Sequence, residues 1–190
     1  EVASDGVQVH GGMGYIEETG AAQHFRDARI TAIYEGTTAI QANDLVGRKV
    51  GRDQGAVARE VIAHMRAVLA SLKDDAELRP IAAQLAPAID ALEKSVQWIV
   101  ANYASDLRSV LASAVPFLKL FGIVTGGWQM ARAAWLAKQH LAAGENDPFW
   151  AAKLTTSRFY ADHFLTQAPG LALAVTGGAS AVLEMADDSF

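Results

Sequence analysis

An all-α fold follows from three observations. Strand-like alternation never persists for more than a few residues, apolar residues recur at helical spacing from about residue 56 onward, and that region is Ala/Leu-rich with few turn signals. At 190 residues the chain has room for one domain, or for a small piece plus one domain. Two composition zones meet near Gly55: glycine clusters and scattered charge before it, helical text after it. The second zone by itself is expected to fold as an antiparallel helix bundle.

Taken in order, residues 1–10 read as the end of a helix that Gly11 and Gly12 stop, followed by an exposed loop, "GMGYIEETG". A short helix through "AAQHFRDARI" comes next, then a turn, then a longer helix starting near Thr37 or Thr38, either of whose hydroxyls could cap it. In the second zone Val57, Val61, Met65, Val68 and Leu72 mark one apolar stripe. A second runs through Ile81, Leu85, Ile89, Leu92, Val96, Ile99, Val100 and Tyr103, with Pro87 expected to kink it or mark a local restart. Residues 106–142 are apolar around most of their circumference, as in a central helix. "GENDP" breaks the chain, with Asn146 or Asp147 as a cap and Pro148 suited to the first turn of a helix over about 148–166. A shorter apolar segment and the acidic tail "EMADDSF" follow.

Composition excludes several classes. A formal charge of -5, without a basic run interleaved with aromatics, gives no case for nucleic acid or an acidic membrane surface. Zero cysteines rules out disulfides, thiol catalysis and thiolate metal sites together, and fits a reducing, cytoplasmic location. Polar residues interrupt the most apolar stretch, 110–137, so it reads as a buried helix and not a membrane span. The opening "EVASDG" has neither an initiator methionine nor a signal-peptide pattern, and the expectation is a chain that starts inside a longer protein or after processing.

Few residues carry chemistry. "VQVHGGMGY" could let backbone N–H groups approach phosphate oxygens, but a plain helix stop explains the glycines better. Glu35 is the only charged residue between Arg29 and Asp44. In a water-poor pocket such a carboxylate becomes a useful base, and Gly36 beside it leaves room for a ligand. An ordinary acid at a helix N-terminus fits the spacing equally well, so both readings stay open on the residues alone. The five histidines form no HExxH and no i, i+4 pair, so no metal site is expected. Arg26 and Arg29 around Asp27 suggest internal ion pairing, the tryptophans core packing, and Gly122, Gly126 and Gly127 close helix approach.

Order and spacing bring these pieces together. "QVHGGMGY", "FRDARI" and "IYEGTTAIQ", in that sequence over residues 4–50, closely resemble the C-terminal signature of acyl-CoA dehydrogenases. "VPFLKLFGIVTGGWQMARAA" and "KLTTSRFYADHFL" resemble, less specifically, the extra C-terminal helical domain of the larger, 3-methylmercaptopropionyl-CoA dehydrogenase-like branch. The resemblance implies a boundary near residue 55: residues 1–55 as the end of the catalytic helical domain, 56–190 as an additional helix bundle.

It further implies that Glu35 is the catalytic base, removing the α-proton of an acyl thioester while the β-hydrogen leaves as hydride to flavin, so that the product is a trans-2-enoyl-CoA. Gln8, Gly12 and Thr37 match positions that contact FAD; a further family contact falls on Ala39, which cannot fill it, and no role is assigned there. The implied partners are an acyl-CoA, an electron-transferring flavoprotein and further copies in a dimer or tetramer. The implied parent has roughly 600 residues, and a fragment of this extent is expected to be inactive and not to retain FAD. The alternative is a helical oligomerisation or interaction module without catalysis. A relative that has exchanged dehydrogenation for nucleic-acid binding is disfavoured by the acidic charge and by the presence of Glu35.

Overall fold

The computed structural model describes residues 2–189, and every described regular element is helical. The chain divides into two compact units, 1–41 and 42–190.

In the first unit α1 spans Val2–Val9 and α2 spans Ala21–Ile30. The expected loop between them is largely wound into two short 3-10 turns, Gly11–Tyr15 and Glu17–Thr19. Thr19 ties the first turn down by donating its hydroxyl to Met13 O at 2.7 Å. Arg26 pairs with Glu17 at 2.7 Å and not with Asp27, whose carboxylate instead accepts from Gln23. The expectation of pairing within "FRDARI" is corrected accordingly: residues 26 and 27 are adjacent and diverge around the helix, whereas Gln23 and Asp27 are one turn apart.

Next comes α3 (Thr37–Asp44), which continues directly into a π turn, Leu45–Gly51. The expected hydroxyl cap at Thr37 or Thr38 is not formed among the described residues. The remaining helices are α4 (Ala56–Leu72), α5 (Arg79–Asn102), α6 (Leu107–Ala112), α7 (Ala114–Ala142), α8 (Pro148–His163), α9 (Ala168–Gly177) and α10 (Ala179–Glu184). Helices α4, α5, α8 and α9 pack around α7 and one another, with a core that includes Met65, Leu72, Leu85, Leu92, Phe117 and Leu120. No helix among the described residues is long and apolar enough to cross a membrane.

Helix α4 buries Ala58, Ile62, Met65, Leu69 and Leu72, one position away from much of the predicted stripe, and leaves Val57 59% exposed. The stripe on α5 is the expected one, and the helix runs unbroken through Pro87. Expected as one helix, 106–142 is two, split at Ser113. Pro116 has no N–H to give the carbonyl of Ala112, so the ladder is interrupted there, and Ser113 Oγ donates to Val110 O at 2.8 Å. At α8 the cap is Asp147, accepting from Phe149 N at 2.9 Å, with Pro148 opening the helix. Tyr160 of α8 donates to Ile123 O of α7 at 3.1 Å, its hydroxyl lying where a side chain on Gly126 would be; Gly127 receives Leu165 in the same way.

Asp53 starts α4 by accepting from Gly55 N at 2.9 Å and Val57 N at 3.0 Å. The Val57 hydrogen bond, with smaller help from Gly55, Ala56 and Arg59 and against a desolvation effect, holds its carboxyl below the usual range. A depressed folded value contributes stability that is present above the unfolded pKa of about 3.9 and is lost as pH falls through the folded value. Replacing Asp53 with Asn is therefore expected to flatten the loss of melting temperature below about pH 4. Thermal melts of both proteins between neutral pH and pH 3 check this; parallel curves would contradict it.

Candidate functional site

The turn between α2 and α3 is the most strained backbone described in the chain. Glu35, Gly36 and Thr37 take φ values of 55°, 90° and 71° in succession. Glycine reaches this left-handed region without cost, but a β-branched threonine there is an outlier, and such strain concentrates at functional sites. Gly36 is doubly required: a Cβ there would lie 2.8 Å from Ile40 Cγ2. One side chain closes the turn, since Gln41 Nε2 donates to Glu35 O at 2.8 Å. Upstream, Ile33 N and Tyr34 N both return to Ile30 O, at 2.9 and 3.1 Å. Sequence reasoning missed Gln41; its only signal was an amide side chain one turn into the helix after Glu35.

The result is an exposed carboxylate on a fixed turn. Glu35 makes no hydrogen bond or ion pair through its carboxylate among the described residues, and the main-chain N–H groups of Glu35 and Gly36 also have no acceptor there. All three groups are thus open to a ligand. The apolar enclosure expected around Glu35 is not supplied by residues 2–41: Ile33, Tyr34 and Ile40 are all at least half exposed.

The other candidate positions lie on the same unit. Gln8 is exposed on α1, and Gly12 is exposed in the first 3-10 turn with open space where a Cβ would stand. Neither the Gln8 amide nor the Thr37 hydroxyl has a partner among the described residues, in contrast to Gln23 and Gln41, which are engaged. Gln8, Gly12 and Thr37 are all exposed to solvent, and no residue of this unit encloses Gly12. The same unit has a concavity of about 560 Å³, lined by Ser4, Val7, Gly14, Tyr15, Phe25 and Arg26 among others. None of Gln8, Gly12, Glu35 or Thr37 lines it, so the structure does not gather the four around one pocket of this chain. No group of three or more His, Asp or Glu side chains that could hold a metal ion occurs among the described residues.

Comparison with known proteins defines the class. Residues 61–186 match the family described as acetyl-CoA dehydrogenase C-terminal like, and residues 1–50 match the acyl-CoA dehydrogenase C-terminal domain. The chain belongs to the acyl-CoA dehydrogenase family, in its C-terminal portion. More particularly, it is 47% identical to the 3-methylmercaptopropionyl-CoA dehydrogenase of Ruegeria pomeroyi, over 88% of this chain and 29% of that protein. It is 30% identical to the broad-specificity linear acyl-CoA dehydrogenase of Mycobacterium tuberculosis, over 85% of this chain and 28% of that one. The human mitochondrial short-chain specific acyl-CoA dehydrogenase aligns over only 46 residues, at 50% identity. The chain thus spans less than a third of the length of the curated relatives it matches.

Proposed function

We propose that the chain is the C-terminal part of an FAD-dependent enzyme that dehydrogenates an acyl-CoA thioester to its trans-2-enoyl-CoA, with Glu35 as the base. The single observation that carries this reading is the strained turn holding an unpartnered carboxylate beside two unpartnered main-chain N–H groups. In the proposed reaction a Glu35 carboxylate oxygen takes the proton from the carbon next to the thioester carbonyl. That carbon is far too weakly acidic for a carboxylate unless its carbonyl oxygen is stabilised as negative charge develops. The N–H groups of Glu35 and Gly36 are suited to that task, being fixed donors that need not reorganise. Covering the turn with the acyl chain and the rest of the enzyme removes water from the carboxylate and makes it a better base. Gln8, Gly12 and Thr37 would hold FAD, which when bound supplies the acceptor for the β-hydride.

Under this proposal residues 1–55 complete a catalytic helical domain and 56–190 form the additional bundle. An electron-transferring flavoprotein as acceptor, a homo-oligomer and a cytoplasmic location belong to the same reading. The exposure of Val2, Val9, Tyr15, Ile33, Tyr34 and Ile40 supports it, since so much uncovered apolar surface on 41 residues calls for further protein. The chain alone is accordingly expected to bind no FAD and to give no turnover of butyryl-CoA with a dye acceptor. Retained yellow flavin or dye reduction by residues 1–190 would overturn that expectation.

A further inference from the structure

Helices α4 and α7, both within the 42–190 unit, pack against each other and leave an open recess of about 320 Å³ between them. Each helix lines it with one turn: Ala67, Val68 and Ser71 from α4, and Arg132, Trp135 and Leu136 from α7. The walls are mostly apolar, and Trp135 and Leu136 keep 38% and 45% of their surface in water. A volume in this range, with an apolar lining and few polar groups, is typical of small-ligand sites.

Arg132 is the one charged residue among those that line the recess, and its guanidinium is held by two neighbours on its own helix. Its Cζ lies 5.5 Å from the centre of the Trp128 ring, whose face attracts the cation. Nη1 donates to Gln129 Oε1 at 3.0 Å, while Nε and Nη2 donate to nothing among the described residues. No carboxylate pairs with Arg132 there, whereas Arg66 and Arg158 of the same unit each have one. A guanidinium fixed in this way offers a planar fork of N–H groups that matches a carboxylate. Extent decides the size of the ligand. From residue 67 to 71, or from 132 to 136, a helix advances about 6 Å. A docked helix needs anchors over two turns, roughly 11 Å, so the recess suits one compact group and not a peptide.

We propose that the recess between α4 and α7 binds a small monocarboxylate with a compact apolar body, its carboxylate on Arg132 and its body against Val68, Trp135 and Leu136. The site lies wholly within residues 42–190 and does not depend on Glu35 being the base.

The probe is 3-phenylpropionate, with 3-phenylpropionamide as its uncharged counterpart. Each is titrated into the isotopically labelled 190-residue chain and followed by NMR at the Trp135 indole N–H, which Trp135→Phe assigns. The acid is expected to shift this resonance saturably, with a Kd on the order of 1 mM for a ligand of this size on an open recess. The amide is expected to bind about tenfold more weakly, because it lacks the charge that Arg132 would meet. Arg132→Gln should weaken the acid about tenfold and leave the amide as it was. Ala67→Phe puts a ring into the recess while keeping Arg132, and should abolish binding of both. Residues 67 and 132 are exposed, so the fold is expected to tolerate either change. The comparison of acid with amide needs no variant and decides the matter should one fail to fold. No saturable shift, equal binding of acid and amide, or acid binding undiminished in either variant would overturn the proposal. So would a full-length enzyme whose affinity for the acid does not fall on Arg132→Gln, since the recess would then be no site of the complete protein.

Discussion

Glu35→Gln in the full-length enzyme is expected to lower turnover of acyl-CoA by about a thousandfold or more, near the upper range for loss of a general base. The amide has nearly the shape of the carboxylate but cannot take the α-proton. Because the Glu35 side chain has no partner within the described residues, nothing in the fold should depend on its charge. Flavin content, melting temperature and oligomeric state are therefore expected to stay as in the wild type. The backbone at residue 35 is left-handed, a region glutamine enters with difficulty similar to that of glutamate, so the turn itself should survive. Steady-state kinetics with a dye acceptor, alongside the flavin absorbance of the purified variant, checks both halves. Undiminished turnover would leave the oligomerisation or interaction module as the better account of this chain.

The second large effect concerns stability. Phe117 is fully buried on α7, with its ring edge-on to Phe121 at a centroid separation of 5.9 Å. Phe117→Ala removes the ring from a close-packed interior that can relax only in part, and is expected to cost about 3–5 kcal/mol. Phe159, on α8 and 55% exposed, provides the control. Its truncation removes a largely solvated ring and is expected to cost about 0.5 kcal/mol or less. Urea unfolding of the 190-residue chain, followed through its four tryptophans, measures both. Equal midpoint shifts would mean that α7 is not the centre of the bundle.

How far the sequence went depended on which residues carried the signal. On α5 six of the ten buried positions are Ile, Leu or Val at helical spacing, so periodicity alone found the face. On α4 the buried face begins at Ala58, which hydropathy hardly distinguishes, while the exposed Val57 drew the stripe one position round. The division of 106–142 was encoded in Pro116, four residues after the last carbonyl of α6, but the strong apolar character of the segment masked it. Arg26 found Glu17 and not a neighbour on α2, because folding back through two 3-10 turns brings residue 17 close in a way no local pattern states.

At the site, Glu35 stood out by its isolation and was given a role by resemblance. The left-handed run through Thr37 was not legible, since threonine is the last residue that pattern would place there. Gln41 looks in the sequence like an ordinary helix residue, and owes its significance to irregular backbone, the Glu35 carbonyl that its amide holds.

The central claim is that Glu35 removes the α-proton, and it is tested most directly by separating that step from the rest of the reaction. A 3-thia acyl-CoA carries sulfur in place of the β-carbon, so its α-proton can leave while no β-hydride can follow. In deuterated water the full-length enzyme is expected to exchange deuterium into the α-carbon of this analogue, and Glu35→Gln to do so at least about a hundredfold more slowly. Equal exchange by the two proteins would show that another group takes the proton.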